Sequence, residues 1–345
     1  MGKDKTKKDK TNKDKDALSN QKGKKNHLKV AIIDIGSNSV RLVVLRIKKK
    51  KSELLENNKH ICELGNMTED GRLSGKNQKK AFKALKEFKK HLDKECIDHI
   101  IPVATAAARN SANGQDFIEK AEKILGHRIK VLSDEEEARY AAFGVIAART
   151  GKKHEIDIDG IVADLGGGSL ELAKVRDNEV LDGLSLKLGT LVLKQETDPV
   201  TKIRHTLSEV DPEFKNARNL YVIGGSWRAV KQTLLDAADH EKDNGISKSD
   251  LDLIDKESLT RISSETLISH LERIIELEDT PPAKKDKNGK KRPKDKFPDD
   301  LDRKARSLYQ EFPDLKPDRA NKIFDASRLL RELIDECGSD NVVFV

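Results

Sequence analysis

Two segments of the sequence share the order Asp, apolar residue, Gly, two further residues and Ser. Asp34 and Ser39 bound the first copy, and Asp164 and Ser169 bound the second. Each copy follows a run of β-forming residues and precedes an alternating apolar pattern, which predicts a tight turn between two strands. Such a turn presents consecutive backbone N–H groups that can bind phosphate oxygens, and the Asp can bind a divalent cation. The repeated pattern therefore predicts an enzyme that acts on phosphoryl groups.

The residue two positions after each Ser differs between the copies. Arg41 follows Ser39, whereas Glu171 follows Ser169. Residues two apart in a strand share a face, so one turn offers a cation for phosphate and the other an anion for a metal. This asymmetry suits a cleft that holds a phosphate chain and Mg²⁺. A single copy would be typical of an ordinary β-turn, but two copies with matching flanks favour a functional site.

A cluster of carboxylates opens a predicted helix at residues 133–139. Ser133 and Glu136 have the spacing of a capping box, which accounts for Glu136 without any function. Glu137 lies beyond the cap. Clustered carboxylates raise one another's proton affinity, as a general base for water requires, although the spacing fits an exposed helix face equally well.

Two further elements could contact an anion. Arg109 follows a run of small residues directly after a predicted strand, and its guanidinium could bind two phosphate oxygens at once. Gly225 and Ser226 lie between a predicted strand and a predicted helix, where the helix N-terminus favours anions. Taken alone, each is also typical of an ordinary loop.

Predicted strands and helices alternate along the chain, which indicates the α/β class. Besides those flanking the two turns, strands are predicted at 99–104, 129–132, 221–223 and 341–345. Helices are predicted at 77–94, 117–125, 258–277 (one or two helices), 317–336 and from Trp227 onward, with a loop at 240–250. The predicted organisation is a disordered Lys-rich arm at 1–27, a first domain at 28–136 and a second at 137–345, with a Lys- and Pro-rich insert at 281–296.

The composition limits the class of protein. A net charge of +7 predicts a polyanionic partner, while aromatic residues at 4% argue against a base-stacking platform, so no specific nucleic acid is expected. The three cysteines have no Cys-x-x-Cys spacing, which indicates a reducing compartment and no zinc site. No segment reaches the ~20 apolar residues that span a bilayer. We expect a soluble, cytoplasmic protein with no membrane partner.

The motifs, in their order, resemble the exopolyphosphatase/guanosine pentaphosphate phosphatase family of the actin–Hsp70–sugar-kinase superfamily. The matching segments are 34–39, 105–109, 133–139, 164–171, 188–189 and 224–226. The resemblance implies two RNase H-like domains with the active site in the cleft between them. It also implies Mg²⁺-dependent release of orthophosphate from inorganic polyphosphate or guanosine pentaphosphate, and it makes a homodimer plausible.

The resemblance also implies roles for individual residues. Glu137 matches the catalytic base that activates water, Arg109 a phosphate-contacting arginine, and Glu171 an acidic residue of catalysis and metal binding. Asp34, Asp164 and Glu171 are the predicted metal ligands. The predicted phosphate-binding residues are Gly36, Ser37, Asn38, Ser39, Arg41, Gly166, Gly167, Gly168, Ser169, Gly225 and Ser226.

Two alternative functions stay open at this stage. A kinase or ATPase of the same superfamily would bind ATP, with Gly225 and Ser226 as the only nucleotide-binding signal. A catalytically inactive regulator would use the Lys-rich arm and insert to bind polyanions.

Overall fold

The computed structural model describes residues 27–49, 51–149, 157–239, 246–255, 259–282, 298 and 301–345. These residues form two α/β lobes, each built on its own sheet. The predicted arm, part of the predicted loop at 240–250 and most of the predicted insert at 281–296 lie outside the described residues.

The first lobe contains a five-stranded sheet in the order β3-β2-β1-β4-β5. Its strands are β1 (Leu28–Ile35), β2 (Ser39–Lys48), β3 (Lys51–Ile61), β4 (His99–Ala104) and β5 (Lys130–Val131). Its helices are α1 (Gly75–Leu92), α2 (Ala106–Asn110) and α3 (Gly114–Leu125). The helical spacing of Ala81, Leu85, Phe88 and Leu92 places all four on the buried face of α1, which lies largely within the helix predicted at 77–94.

The second lobe contains a seven-stranded sheet in the order β10-β11-β12-β9-β6-β7-β8. Its strands are β6 (Gly160–Leu165), β7 (Leu170–Arg176), β8 (Glu179–Leu186), β9 (Asn219–Gly224), β10 (Asp252–Asp255), β11 (Leu259–Ser263) and β12 (Asn341–Phe344). Its helices are α4 (Asp134–Arg149), α5 (Thr190–Leu193), α6 (Pro199–Ser208), α7 (Gly225–Asp239), α8 (Ser264–Glu276), α9 (Arg306–Glu311), α10 (Pro317–Ala320) and α11 (Ile323–Cys337).

The two lobes repeat one arrangement. In the first, β1 pairs antiparallel with β2 and parallel with β4. In the second, β6 pairs antiparallel with β7 and parallel with β9. The predicted α/β class and its duplication are confirmed. The predicted domain boundary after residue 136 stays a prediction. In the structure, Ala138, Ala142 and Val145 of α4 pack in a cluster with Val162 of the second sheet.

Two predicted elements were wrong in part. The first residues of the helix predicted at 258–277 form β11, because Ile262 is buried and pairs with Val342 of β12. The single helix predicted at 317–336 is interrupted between α10 and α11. There the Asn321 side chain accepts a hydrogen bond from the Asp302 backbone at 2.8 Å, and Lys322 leaves the helical conformation. Across the described part of the chain, no helix is both long and apolar enough to cross a membrane.

Candidate active site

A cavity of about 630 Å³ lies between the two lobes and is lined by both duplicated turns. The first lobe contributes the residues that end β1 and begin β2, and the second contributes those that end β6 and begin β7. The lining includes thirteen residues predicted from the sequence: Asp34, Gly36, Ser37, Asn38, Ser39, Arg41, Glu137, Asp164, Gly166, Gly167, Gly168, Ser169 and Glu171. Gly225 and Ser226, which were predicted as well, also line it.

The two turns have the same internal geometry. The Gly36 N–H donates to the Ser39 carbonyl at 3.0 Å, and the Gly166 N–H donates to the Ser169 carbonyl at 3.0 Å. The strand register places Asp34 opposite Arg41 in one hairpin. The equivalent pair in the other hairpin consists of two carboxylates, Asp164 and Glu171.

The second turn is held against a neighbouring helix by its backbone. The Thr190 N–H donates to the Gly166 carbonyl at 3.1 Å, and the Leu191 N–H donates to the Gly167 carbonyl at 2.8 Å. A side chain at Gly189 would not fit, since a Cβ there would lie 2.3 Å from the Ser169 nitrogen. The glycine therefore allows α5 to approach closely and fix the turn.

Four carboxylates share the cavity and raise one another's proton affinity. Burial raises the pKa of Asp34 and of Asp164 to about 6, and the negative charge of Glu137 adds to both shifts. Burial also raises the pKa of Glu171 well above its usual value, again with a contribution from Glu137. The Glu171 side chain is fixed by the Ser185 hydroxyl, which donates to Oε1 at 3.0 Å. Glu137 is thus the common electrostatic neighbour of the other three.

Glu137 lies in the first turn of α4, where the helix is capped as predicted. The Glu136 N–H donates to Ser133 Oγ, and the Ser133 N–H donates to a Glu136 carboxylate oxygen, each at 3.1 Å. Burial raises the pKa of Glu137, while hydrogen bonds from Arg109 and the Thr105 hydroxyl oppose that rise. Ser133 and Glu136 satisfy N–H groups at the start of the helix, so Glu137 is not needed for capping, and it lines the cavity.

Arg109 lies beside the cavity and is not among its lining residues. Its Nη1 donates to Glu137 Oε2 at 2.9 Å and to the Leu132 carbonyl at 2.8 Å. Its Nη2 binds the carboxylate of Asp134. In this arrangement Arg109 orients Glu137, and its predicted contact with phosphate stays a prediction.

Four cations in the lining were missed by the sequence analysis: Lys59, Arg228, Arg319 and Lys322. Burial lowers the pKa of Arg228, and the positive charges of Arg319 and Arg41 lower it further. Such a concentration of guanidinium groups matches a polyanionic ligand. Only Arg228 had a local signal in the sequence, because it lies in the helix that follows Gly225 and Ser226.

The donor set suits Mg²⁺. Asp34, Asp164 and Glu171 offer hard carboxylate oxygens, the ligands that Mg²⁺ prefers. In the described residues no three acidic, His or Cys side chains are gathered closely enough to hold a metal by themselves.

Two α/β lobes of repeated topology, with the two duplicated turns lining a shared cleft, define an RNase H-like, actin-like fold. Comparison with solved structures agrees. A Ppx/GppA family member from Aquifex aeolicus superposes with a TM-score of 0.66 at 22% identity, covering 92% of this chain and 93% of that one. An exopolyphosphatase from Cytophaga hutchinsonii superposes with a TM-score of 0.67 at 18% identity, again covering 92% and 93%.

The Ppx/GppA phosphatase family model matches residues 43–279, more than half of the chain. The chain belongs to this family. A curated relative, the guanosine-5'-triphosphate,3'-diphosphate pyrophosphatase of Pseudoalteromonas atlantica, is 30% identical over 166 residues. That alignment covers 48% of this chain and 32% of the relative, so the chain matches about a third of the relative's length.

Proposed function

We propose that the protein hydrolyses the terminal phosphoanhydride bond of inorganic polyphosphate or guanosine pentaphosphate and releases orthophosphate. One observation carries this proposal: the partly buried Glu137 carboxylate, with a raised pKa, lines the cavity together with the two duplicated turns, which we take as phosphate loops. A carboxylate in this state accepts a proton from water more readily than an exposed one. Membership of a phosphatase family supports the same chemistry.

In the proposed reaction, Glu137 accepts a proton from a water molecule whose oxygen attacks the terminal phosphorus atom. The bond from that phosphorus to the bridging oxygen breaks, and the bridging oxygen stays with the shortened chain. Backbone N–H groups of the two loops hold the terminal phosphate oxygens. Arg41, Arg228 and Arg319 stabilise the negative charge that develops on the leaving oxygen. Arg109 keeps the Glu137 carboxylate oriented.

Mg²⁺ belongs to the proposal as well. One or two of the carboxylates of Asp34, Asp164 and Glu171 would hold it, together with oxygens of the substrate. When bound, the ion would neutralise charge on the phosphate oxygens and so favour attack by water. Without a cation, the carboxylates of the cavity would repel a polyphosphate chain, and this repulsion supports a requirement for Mg²⁺.

A kinase or ATPase of the same fold is less well supported. Its nucleotide signal, Gly225 and Ser226 at the start of α7, lines the same cavity as the phosphate loops, and Gly225 packs against Arg319. These residues therefore have an explanation as part of a phosphate site. The inactive-regulator reading is also less well supported, because Glu137 and the three other acidic residues all line the cavity.

The test measures orthophosphate release with Mg²⁺ from long-chain polyphosphate, guanosine pentaphosphate and ATP. We expect release from polyphosphate or pentaphosphate, and a loss of roughly 10²–10⁴-fold in Glu137→Gln. Glu135→Gln is the matched control, because Glu135 lies in the same helical turn but is exposed. Turnover of ATP alone would place the protein with the kinases and ATPases. Equal loss in both variants, or no loss in either, would remove Glu137 from the mechanism.

A further inference from the structure

The exposed face of α1 carries a lysine stripe that the catalytic site does not use. We define the lysine stripe as Lys76, Lys79, Lys83, Lys86 and Lys90. Their spacing of three and four residues places them on one side of the helix, opposite its buried residues. All five are exposed, and none forms an ion pair with a residue that the structure describes. At 1.5 Å per residue the stripe is about 21 Å long.

The charge of α1 is unbalanced in a way that folding does not require. The helix contains seven lysines and one acidic residue, Glu87, which pairs with His60. Like charges four residues apart repel each other, and Lys76 lies in the first turn, where the helix dipole disfavours a cation. The neighbouring α3 differs, since its Lys120 and Lys123 alternate with acidic residues. A polyanion bound along α1 would remove this repulsion.

The stripe begins beside the active site. The Glu63 N–H donates to the carbonyl of Asn38 in the first phosphate loop at 2.9 Å. The Asn77 side chain, in the first turn of α1, donates to the Glu63 carbonyl at 2.8 Å. From this point the lysines extend away from the loop along the helix. A chain that is longer than the cavity could therefore contact both the loop and the stripe.

Resting on the proposed function, we propose that the lysine stripe binds the part of a long inorganic polyphosphate chain that lies outside the cleft. A polymer with a charge at every repeat matches five cations in a row, whereas a single nucleotide is too short to contact them all. Nucleic acid is less suitable for this face, because Phe88 of α1 is buried, and Phe82 is partly buried and already stacked on Phe117, so neither ring is placed to stack on a base. The stripe would thus favour long chains over short ones.

The experiment compares two charge-matched double variants of the full chain. Lys83→Gln/Lys86→Gln removes two stripe lysines three residues apart, and Lys120→Gln/Lys123→Gln does the same on the exposed face of α3. The KM is measured for long-chain polyphosphate and for tripolyphosphate. We expect the stripe variant to raise KM for the long chain about threefold or more, with tripolyphosphate hydrolysis unchanged within about twofold. The α3 variant should change neither.

Binding is measured independently, by fluorescence anisotropy of end-labelled long-chain polyphosphate with the full-length protein. The slope of log K against log salt should fall by about 1.4 in the stripe variant, at roughly 0.7 for each lost phosphate contact. This arm still tests the stripe if the wild-type protein hydrolyses neither substrate, a result that would overturn only the proposed function. Equal effects of the two variants, or equal effects on both substrates, would overturn the stripe proposal. So would single-stranded DNA competing as well as polyphosphate of equal charge.

Discussion

Gly168 and Ser37 contact each other across the cleft at a distance that a larger residue at 168 would not allow. A Cβ placed on Gly168 would lie 2.4 Å from Ser37 Oγ and 3.1 Å from Ser37 Cβ. The preceding residue, Gly167, is packed in the same way, since a Cβ there would lie 3.0 Å from the Asn38 Cβ. The two duplicated turns are therefore packed against one another, and the glycines set how closely the lobes approach.

We expect Gly168→Ala to separate the two loops and impair turnover. Overlap with Ser37 must be relieved by a shift of a few tenths of an ångström or more, and misplaced phosphate ligands lose catalytic efficiency steeply. The expected result is a fall in kcat/KM of at least about tenfold, measured by orthophosphate release.

Gly144→Ala is the matched control for this prediction. Gly144 also lines the cavity, but a Cβ there would meet nothing within 4 Å. Because Gly destabilises a helix interior, this change should raise stability by roughly 0.5–1 kcal/mol and leave turnover within about twofold. Equal losses of turnover in both variants would show that the contact between Gly168 and Ser37 does not matter.

Gly225→Ala should reproduce the effect of removing Arg319. A Cβ on Gly225 would lie 2.0 Å from Nη1 of Arg319, so the guanidinium would have to leave its position. We expect both Gly225→Ala and Arg319→Ala to raise KM for the phosphorylated substrate about tenfold. The double variant should be no worse than Arg319→Ala alone, because both changes act on one group. Additive effects in this double-mutant cycle would contradict the shared mechanism.

The parts of the site that the sequence predicted are those that lie close together in the chain. Asp34 and Arg41 belong to one hairpin, and Asp164 and Glu171 to another, so a strand–turn–strand pattern was enough to bring each pair together. That the two hairpins face one another is a property of the whole fold. We inferred that the hairpins face one another from their likeness to each other and from the resemblance to a known family.

The parts that were missed depend on contacts between distant segments. Arg319 lies some distance from Gly225 in the sequence, and no local pattern indicates that its guanidinium packs there. The break between α10 and α11 was missed for the same reason, since Asn321 is held by the backbone of Asp302. Arg109 was predicted to contact phosphate, and no local pattern indicated that it donates a hydrogen bond to Glu137.

Ser185→Ala tests how Glu171 is positioned. The Ser185 hydroxyl donates to Glu171 Oε1 at 3.0 Å, and this bond favours the ionised carboxylate. Its loss should raise the pKa of Glu171 further and shift the acidic limb of the pH–rate profile of kcat/KM to higher pH. Ser185→Thr, which keeps the hydroxyl, should restore the wild-type profile. A uniform loss of activity at every pH would indicate a purely structural role for Ser185.

The desolvated carboxylate of Asp164 is expected to reduce the stability of the protein in the absence of metal. Its pKa is about 6 in the folded protein and 3.8 in a free side chain. Well below pH 3.8 the carboxyl group is protonated in both the folded and the unfolded state, so it does not lower the free energy of unfolding. As the pH rises to about 6, the unfolded chain releases the proton first, so the folded state loses stability, and above about 6 the loss is complete. The difference in pKa corresponds to an upper limit of roughly 3 kcal/mol.

Asp164→Asn carries no charge at any pH and should therefore be more stable than the wild type at pH 7.5 in EDTA. We expect its thermal midpoint to be higher by roughly 5 °C at pH 7.5, and the advantage to disappear near pH 4. Asp314→Asn, at an exposed position, should have no effect at either pH. Added Mg²⁺ should stabilise the wild type and reduce the difference, because a bound cation offsets the buried charge. An advantage that is equal at both pH values would show that packing, rather than ionisation of Asp164, is responsible.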